Sequence, residues 1–215
     1  MRHTRFLPTL LVLVILSTLC LPTRAAISGR KVLDNAASFV KRSGDLRVSF
    51  SATSFQGTAE QESVSGTLLL QGRKFQLETT EMITWFDGKT QWSYLTENDE
   101  VHVTTPTEKE IQAVNPYVFL ELYKKGYDIT MKESTLRNTP TYEVHLLARH
   151  SDTAAQELYI DVRQSDYCPL CVRVRQDNLW NRISIRQFEG RQKFSDSDFT
   201  FPKERYPDAE IIDLR

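Results

Sequence analysis

The chain predicts a mainly β fold: one long antiparallel sheet of about ten strands, curled, carrying about three short helices. Three observations predict it. Apolar and polar residues alternate over most of residues 46–185, the pattern of strands with one covered and one wet face. Turn signals fall between these runs at Asp87-Gly88, Asn98-Asp99, Asn138-Thr139-Pro140 and Asp177-Asn178, so successive hairpins form a meander. A helical stretch precedes the alternation, and one substantial stretch with helical signals interrupts it. A sheet of about ten strands curls rather than staying open, and its hollow face is either filled by side chains or roofed by helices over a cavity.

The first 25 residues stand apart. Arg2, His3 and Arg5 precede an apolar run from Phe6 to Leu21, and Thr23-Arg24-Ala25 places small residues at the −3 and −1 positions of a cleavage site. The expectation is a secretory signal peptide, 1–25, followed by a single domain, 26–215. The run is short and contains Pro8, against an uncleaved membrane anchor, and Leu19 before Cys20 stands where lipidation needs a small residue. The chain has 27 basic and 28 acidic residues. Three arginines leave with the signal, so 24 basic residues face 28 acidic ones, a net charge of −4. Such a balance gives no basic face for nucleic acid and no polybasic stretch for anionic lipid.

The elements follow in order. Val32, Leu33, Ala36, Ala37 and Val40 recur at helical spacing behind Ser28, a candidate N-cap, predicting a helix over 29–43. Strand alternation then runs through Leu46, Val48, Phe50 and Ala52; Phe75, Leu77 and Thr79; Tyr142, Val144, Leu146 and Ala148; Leu158, Ile160 and Val162; and Ile183 and Ile185. Between Thr105 and Gly126, two short helices are predicted, the second with Asn115 as N-cap and Pro116 at its first position. Tyr117, Val118, Phe119, Leu120, Leu122 and Tyr123 make that helix apolar almost all round, so it must be covered on more than one side. Leu69 is apolar on the face that should be wet, which points to cover on both sides of the sheet there.

Catalytic patterns are missing from the sequence. It has no G-x-S-x-G elbow, H-E-x-x-H, G-x-G-x-x-G or phosphate loop, and no cofactor or metal is expected. Cys168 and Cys171 form a C-P-L-C pair at the start of a strand. In an oxidising compartment this reads as a local disulfide at a turn or as two free thiols on an extended segment. A redox pair would need a helix N-terminus to activate it.

In their order, several strings resemble the LolA family of periplasmic outer-membrane lipoprotein carriers. They are the helix leading into S-F-S-A at 49–52, G-T-L-L-L-Q-G-R-K-F-Q-L-E at 66–78, and W-F-D-G-K-T-Q-W-S-Y at 85–94. N-P-Y-V-F-L-E-L-Y-K-K-G-Y at 115–127 and the ending from Phe199 to Arg215 complete the set. The resemblance implies a half-open antiparallel barrel with helices as a lid over a hydrophobic cavity, and a monomeric carrier rather than an enzyme. It implies acylated lipoproteins as cargo, received from an inner-membrane ABC transporter and passed to an outer-membrane acceptor in the periplasm. Arg73 is the candidate for the family's arginine linking sheet to lid. The physics is consistent, because exposing an acyl chain costs about 0.8 kcal/mol per CH₂, roughly 10 kcal/mol or more per chain.

Strand phase then assigns Phe50, Leu68, Leu70, Phe75, Leu77, Trp92 and Tyr94 to the cavity floor, and the resemblance implies that Phe119, Leu120 and Tyr123 belong to the lid. The alternatives are a lipid-binding or lipoprotein-sensing module of the same fold, and a thiol oxidoreductase built on Cys168 and Cys171.

Overall fold

The computed structural model describes residues 27–107, 110–111, 123–124, 126–150, 155–176 and 179–215. Helix α1 (Gly29–Arg42) begins where Ser28 caps it, the Ser28 hydroxyl accepting from the Lys31 amide at 3.2 Å. Its apolar stripe, Val32, Leu33 and Ala36, is fully buried against β7 (Tyr127–Leu136), β8 (Thr139–Ala148) and β9 (Glu157–Arg163). The other strands are β1 (Leu46–Gln56), β2 (Ala59–Gln71), β3 (Lys74–Thr79), β4 (Met82–Phe86), β5 (Gln91–Leu95) and β6 (Glu100–Thr104). They are followed by β10 (Pro169–Gln176), β11 (Leu179–Glu189) and β12 (Glu210–Asp213).

All twelve strands form one open sheet, in the order β12-β6-β5-β4-β3-β2-β1-β11-β10-β9-β8-β7. That is two strands more than the alternation predicts, because β6 and β12 are short and lie where no long alternating run announces them. The pairing is antiparallel except at β12, which runs parallel to β6. The described residues include one complete α-helix, a helical start at Glu110 and Ile111, and two 3₁₀ turns, Asp196–Phe199 and Lys203–Arg205, where the sequence predicts three short helices. The expected helix over 116–125 lies outside the described residues apart from Tyr123 and Lys124.

The sheet bends strongly at one end. Arg137, in the β7–β8 turn, donates to the Ile185 carbonyl of β11 at 2.9 Å, although β9 and β10 lie between β8 and β11. Three flat ladder steps would span roughly 14 Å, beyond the reach of an arginine side chain. The hairpin must therefore fold back across the sheet, which fixes an inner face, carrying α1, and an outer face.

The outer face is closed in two ways. Over β3 to β6 the C-terminal segment supplies aromatic cover: Phe201 lies 5.6 Å from Trp85, and Tyr206 4.4 Å from Tyr94, between ring centroids. Leu69, buried at 7% exposure, faces this side, in line with Trp85 through Gln76. Over β7 to β10 charge takes over. Arg173 lies 2.6 Å from Glu143 and 3.7 Å from Asp161, Lys132 lies 2.8 Å from Glu143, and the Arg173 guanidinium stands 4.6 Å over the Tyr159 ring. Burial pushes the Asp161 carboxyl up, with Arg173 pulling it back only in part. Burial also acts upward on Glu143, but hydrogen bonds from Lys132 and Arg173 outweigh it and hold that carboxyl low.

The packing generates two predictions. Gly66 pairs with Phe50 across β1–β2, and a Cβ there would stand 2.4 Å from the Glu78 carbonyl and 3.0 Å from the Phe50 ring. Gly66→Ala should therefore cost about 1–3 kcal/mol in urea unfolding, where an ordinary strand glycine would gain from the same change. In the charge network the two carboxylates have opposite signs: Glu143 stabilises the fold above the ordinary carboxylate range and loses that as pH falls, whereas Asp161 weakens it as pH rises. Arg173→Met should cost about 1–3 kcal/mol at pH 7 by leaving the buried Asp161 without its cation, Glu143 keeping Lys132, while Asp161→Asn at pH 7 should leave stability unchanged or raise it.

Candidate functional site

The candidate site is the inner face. Cross-strand register places Leu46 beside Leu70, Val48 beside Leu68, Leu68 beside Leu77 and Phe75 beside Phe86. On the other half, Ile183 faces Val172, Val172 faces Ile160, Ile160 faces Val144 and Val144 faces Met131. These side chains and the α1 stripe form one apolar cluster. Toward β5 and β6 the inner face turns polar, with Ser93 opposite Thr84 and His102 opposite Ser93. The apolar surface therefore ends at β4.

Five of the expected floor residues, Phe50, Leu68, Leu70, Phe75 and Leu77, lie on this face within or against the cluster. Leu68 and Phe75 are fully buried, while Phe50, Leu70 and Leu77 are half-buried. Trp92 and Tyr94 are corrections. Register pairs them with Trp85 and Ile83, and they pack with Val101, Val103, Phe201 and Tyr206 on the outer face. The reason is that β4 is buried along both faces, Ile83 through Phe86, so alternation there does not say which side is the hollow. Arg73 is exposed in the two-residue turn between β2 and β3.

Of the expected lid, Phe119 and Leu120 lie outside the described residues, and Tyr123 is buried at 2% exposure. Its hydroxyl donates to the Asp34 carboxylate of α1 at 2.5 Å, with Arg30 5.7 Å from its ring. Just beyond, the buried Tyr127 hydroxyl donates to the Ala155 carbonyl at 2.7 Å. At the other flank, the Thr107 amide and hydroxyl each donate to Glu110 at 2.7 Å, and the Ile111 amide bonds the Thr107 carbonyl at 3.0 Å. Thr107 and Glu110 thus form a capping box, which the T-x-x-E spacing in the sequence carried. Ile111 packs against the inner cluster. The chain between Ile111 and Tyr123 is therefore tied to the inner face at both flanks.

Cys168 and Cys171 are unbonded and buried. They take the second of the two expected forms, free thiols on an extended segment, because β10 begins at Pro169 and keeps Cys171 in the ladder. Burial pushes the Cys168 thiol up to about 11 and raises Cys171 as well. Among the described residues, no group of three or more His, Cys, Asp or Glu could hold a metal ion, and no helix is long and apolar enough to cross a membrane.

Comparison with known proteins places this geometry. The family model described as outer membrane lipoprotein carrier protein LolA matches residues 16–178. The chain belongs to that family. An uncharacterized conserved protein from Thermus thermophilus has a similar structure, with TM-score 0.56 at 11% identity, over 86% of this chain and 98% of its own. LprF from Mycobacterium bovis gives TM-score 0.53 at 10% identity, over 81% of this chain and 96% of its own. At such identities these two likenesses show a shared fold. None of the curated proteins matches the chain.

The thiols yield a prediction. Because the thiolate is the reactive form, native protein at pH 8 should react with a thiol reagent at least tenfold more slowly than urea-unfolded protein. Stability should fall as pH climbs from the ordinary thiol range toward about 11, since the raised thiol favours the fold only while protonated. Native thiols as fast as unfolded ones would contradict the burial.

Proposed function

We propose that this protein is an exported, monomeric carrier that shields acyl chains on the inner face of its sheet. In this reading residues 1–25 direct export to the periplasm, where the carrier takes acylated lipoproteins from an inner-membrane ABC transporter and passes them to an outer-membrane acceptor. One observation supports it above the others: half-buried Phe50, Leu70, Leu77, Met131 and Ile183 border a buried apolar cluster on a single face, in a chain of the LolA family.

An acyl chain moving through water must stay covered, at about 0.8 kcal/mol per exposed CH₂. The segment between Ile111 and Tyr123 can act as the cover, with Phe119, Leu120 and Tyr123 packed on the sheet when empty and displaced by acyl chains when loaded. The role is carriage rather than catalysis. The buried thiols, with their raised values, favour it over an oxidoreductase.

Mass spectrometry of the mature protein should find copurified acylated molecules. In transfer of a triacylated lipoprotein between membranes, Leu77→Glu should lower the rate at least tenfold, because a carboxylate in an apolar site costs several kcal/mol, while its melting still shows a folded sheet. Equal transfer by the two folded proteins would contradict the proposal, as would a mature protein that carries no lipid.

A further inference from the structure

Arginines gather at the end of the sheet where the β7–β8 hairpin folds back. A cavity of about 240 Å³ is lined by Arg137, Arg163 and Arg186 with Leu170, Ile185 and Phe188. A second, about 340 Å³, is lined by Arg42 and Arg191 with Phe39 and Phe188. They share Phe188, whose ring lies 5.1 Å from that of Phe39. Both meet the inner apolar cluster, since Ile185 belongs to it and Phe188 packs against it. The two cavities therefore form one basic rim at an end of the inner face.

Backbone irregularities put these arginines there. Arg137 and Asn138 have φ of 50° and 61°, a left-handed hairpin turn rare for arginine. The turn sends the Arg137 guanidinium over the strand ends, where it donates to the Ile185 carbonyl at 2.9 Å. Arg186 is the extra residue of a β-bulge, because Phe50 pairs with Ile185 and Ser49 with Gln187, and its side chain turns to the outer face, where it bonds the Ser51 hydroxyl. Gly190 lets β11 pass α1 closely, a Cβ there standing 2.9 Å from the Ser43 carbonyl. The Arg191 amide donates to that carbonyl at 2.7 Å, which brings Arg191 beside Arg42.

The charge is not internally cancelled. Arg163 is held bidentate by Asp166, both bonds at 2.8 Å. Arg137 bonds backbone carbonyls, and Arg186 the Ser51 hydroxyl at 3.1 Å. Among the described residues, Arg42, Arg137, Arg186 and Arg191 face no carboxylate at ion-pair distance. Of these, Arg42, Arg137 and Arg191 stand at the rim, and three uncompensated guanidiniums in a chain with more acidic than basic residues make a local anion site, because guanidinium forks suit phosphate oxygens.

We propose that this rim binds the phosphate group of a phospholipid-type ligand whose acyl chains lie on the inner face. The inference rests on the reading that acyl chains lie on the inner face and adds a second cargo class to it, because the acyl anchor of a lipoprotein carries no phosphate. Chains enter past Ile185 and Phe188, and the phosphate stays at the water-facing end between Arg42 and Arg191. A neutral lipid would occupy the apolar face without using the rim.

The test is calorimetric titration of the mature protein at low salt with three probes: short-chain phosphatidylglycerol, diacylglycerol of the same chain length, and inorganic phosphate. The wild type should bind the phosphatidylglycerol roughly tenfold or more tighter than diacylglycerol, since hydrogen bonds to charged groups are worth that much, and this preference should shrink as salt rises. The Arg42→Gln, Arg191→Gln double variant, and Arg191→Gln alone if the double melts early, should lose the preference and keep diacylglycerol binding. Equal wild-type affinity for the two lipids would overturn the rim and leave the carrier reading standing. Inorganic phosphate binding as tightly as phosphatidylglycerol would make this a free-phosphate site and overturn the lipid inference. Binding of neither lipid would overturn both readings.

Discussion

The structure turns on a mismatch between one helix and the apolar surface it has to serve. Helix α1 has fourteen residues, so it is about 21 Å long and roughly 10–12 Å wide, enough to cover two or three strands at about 4.8 Å spacing. It packs on β7, β8 and β9. The apolar cluster it joins runs from β4 to β7 through nine neighbouring strands. Curling brings part of that surface together, and Gly66 gives the Phe50 ring room where β1 meets β2 and β3. At the border of the remainder stand Ile111, just behind the capping box at Thr107, and Tyr123, hydrogen-bonded to Asp34 of α1.

The two faces of the sheet meet this constraint differently. The outer face uses polar and aromatic groups: a charge network around Arg173 and Tyr159 on one half, the C-terminal aromatics on the other. Those contacts join the sheet to itself or to the chain's own end. On the inner face half-buried apolar side chains lie beside fully buried ones, and water contact there is costly in proportion to area. An inner surface of that kind suits a ligand that has the same reason to avoid water, and the arginines at its end suit one that is not apolar throughout.

Much of this could be read from the residues. Helix α1 was legible because its apolar stripe and Ser28 agree, and the phase of β1 and β3 placed Phe50, Phe75 and Leu77 correctly because their other faces are polar. Trp92 and Tyr94 went to the wrong side because β4 and β5 are covered on both faces, and the residues covering the outer one, Phe201 and Tyr206, lie more than a hundred positions away. Nothing local announces that contact, nor the parallel pairing of β12 with β6. The arginine rim was illegible for a related reason. Arg42, Arg137 and Arg191 are scattered singly among strand and helix ends, and only the Arg137-Asn138 turn hints that one of them is aimed. Net charge hid the rest, because an acidic total says nothing about where cations gather.

The central claim is that acyl chains lie against the inner face. A photoreactive benzophenone residue in place of Leu77, compared with one in place of Gln76 beside it in β3, tests this most directly. Illuminated with a triacylated lipoprotein, the position-77 protein should crosslink to the acyl chains and the position-76 protein should not, because neighbouring strand residues face opposite sides. Crosslinking at position 76 alone, or equally at both, would contradict the account.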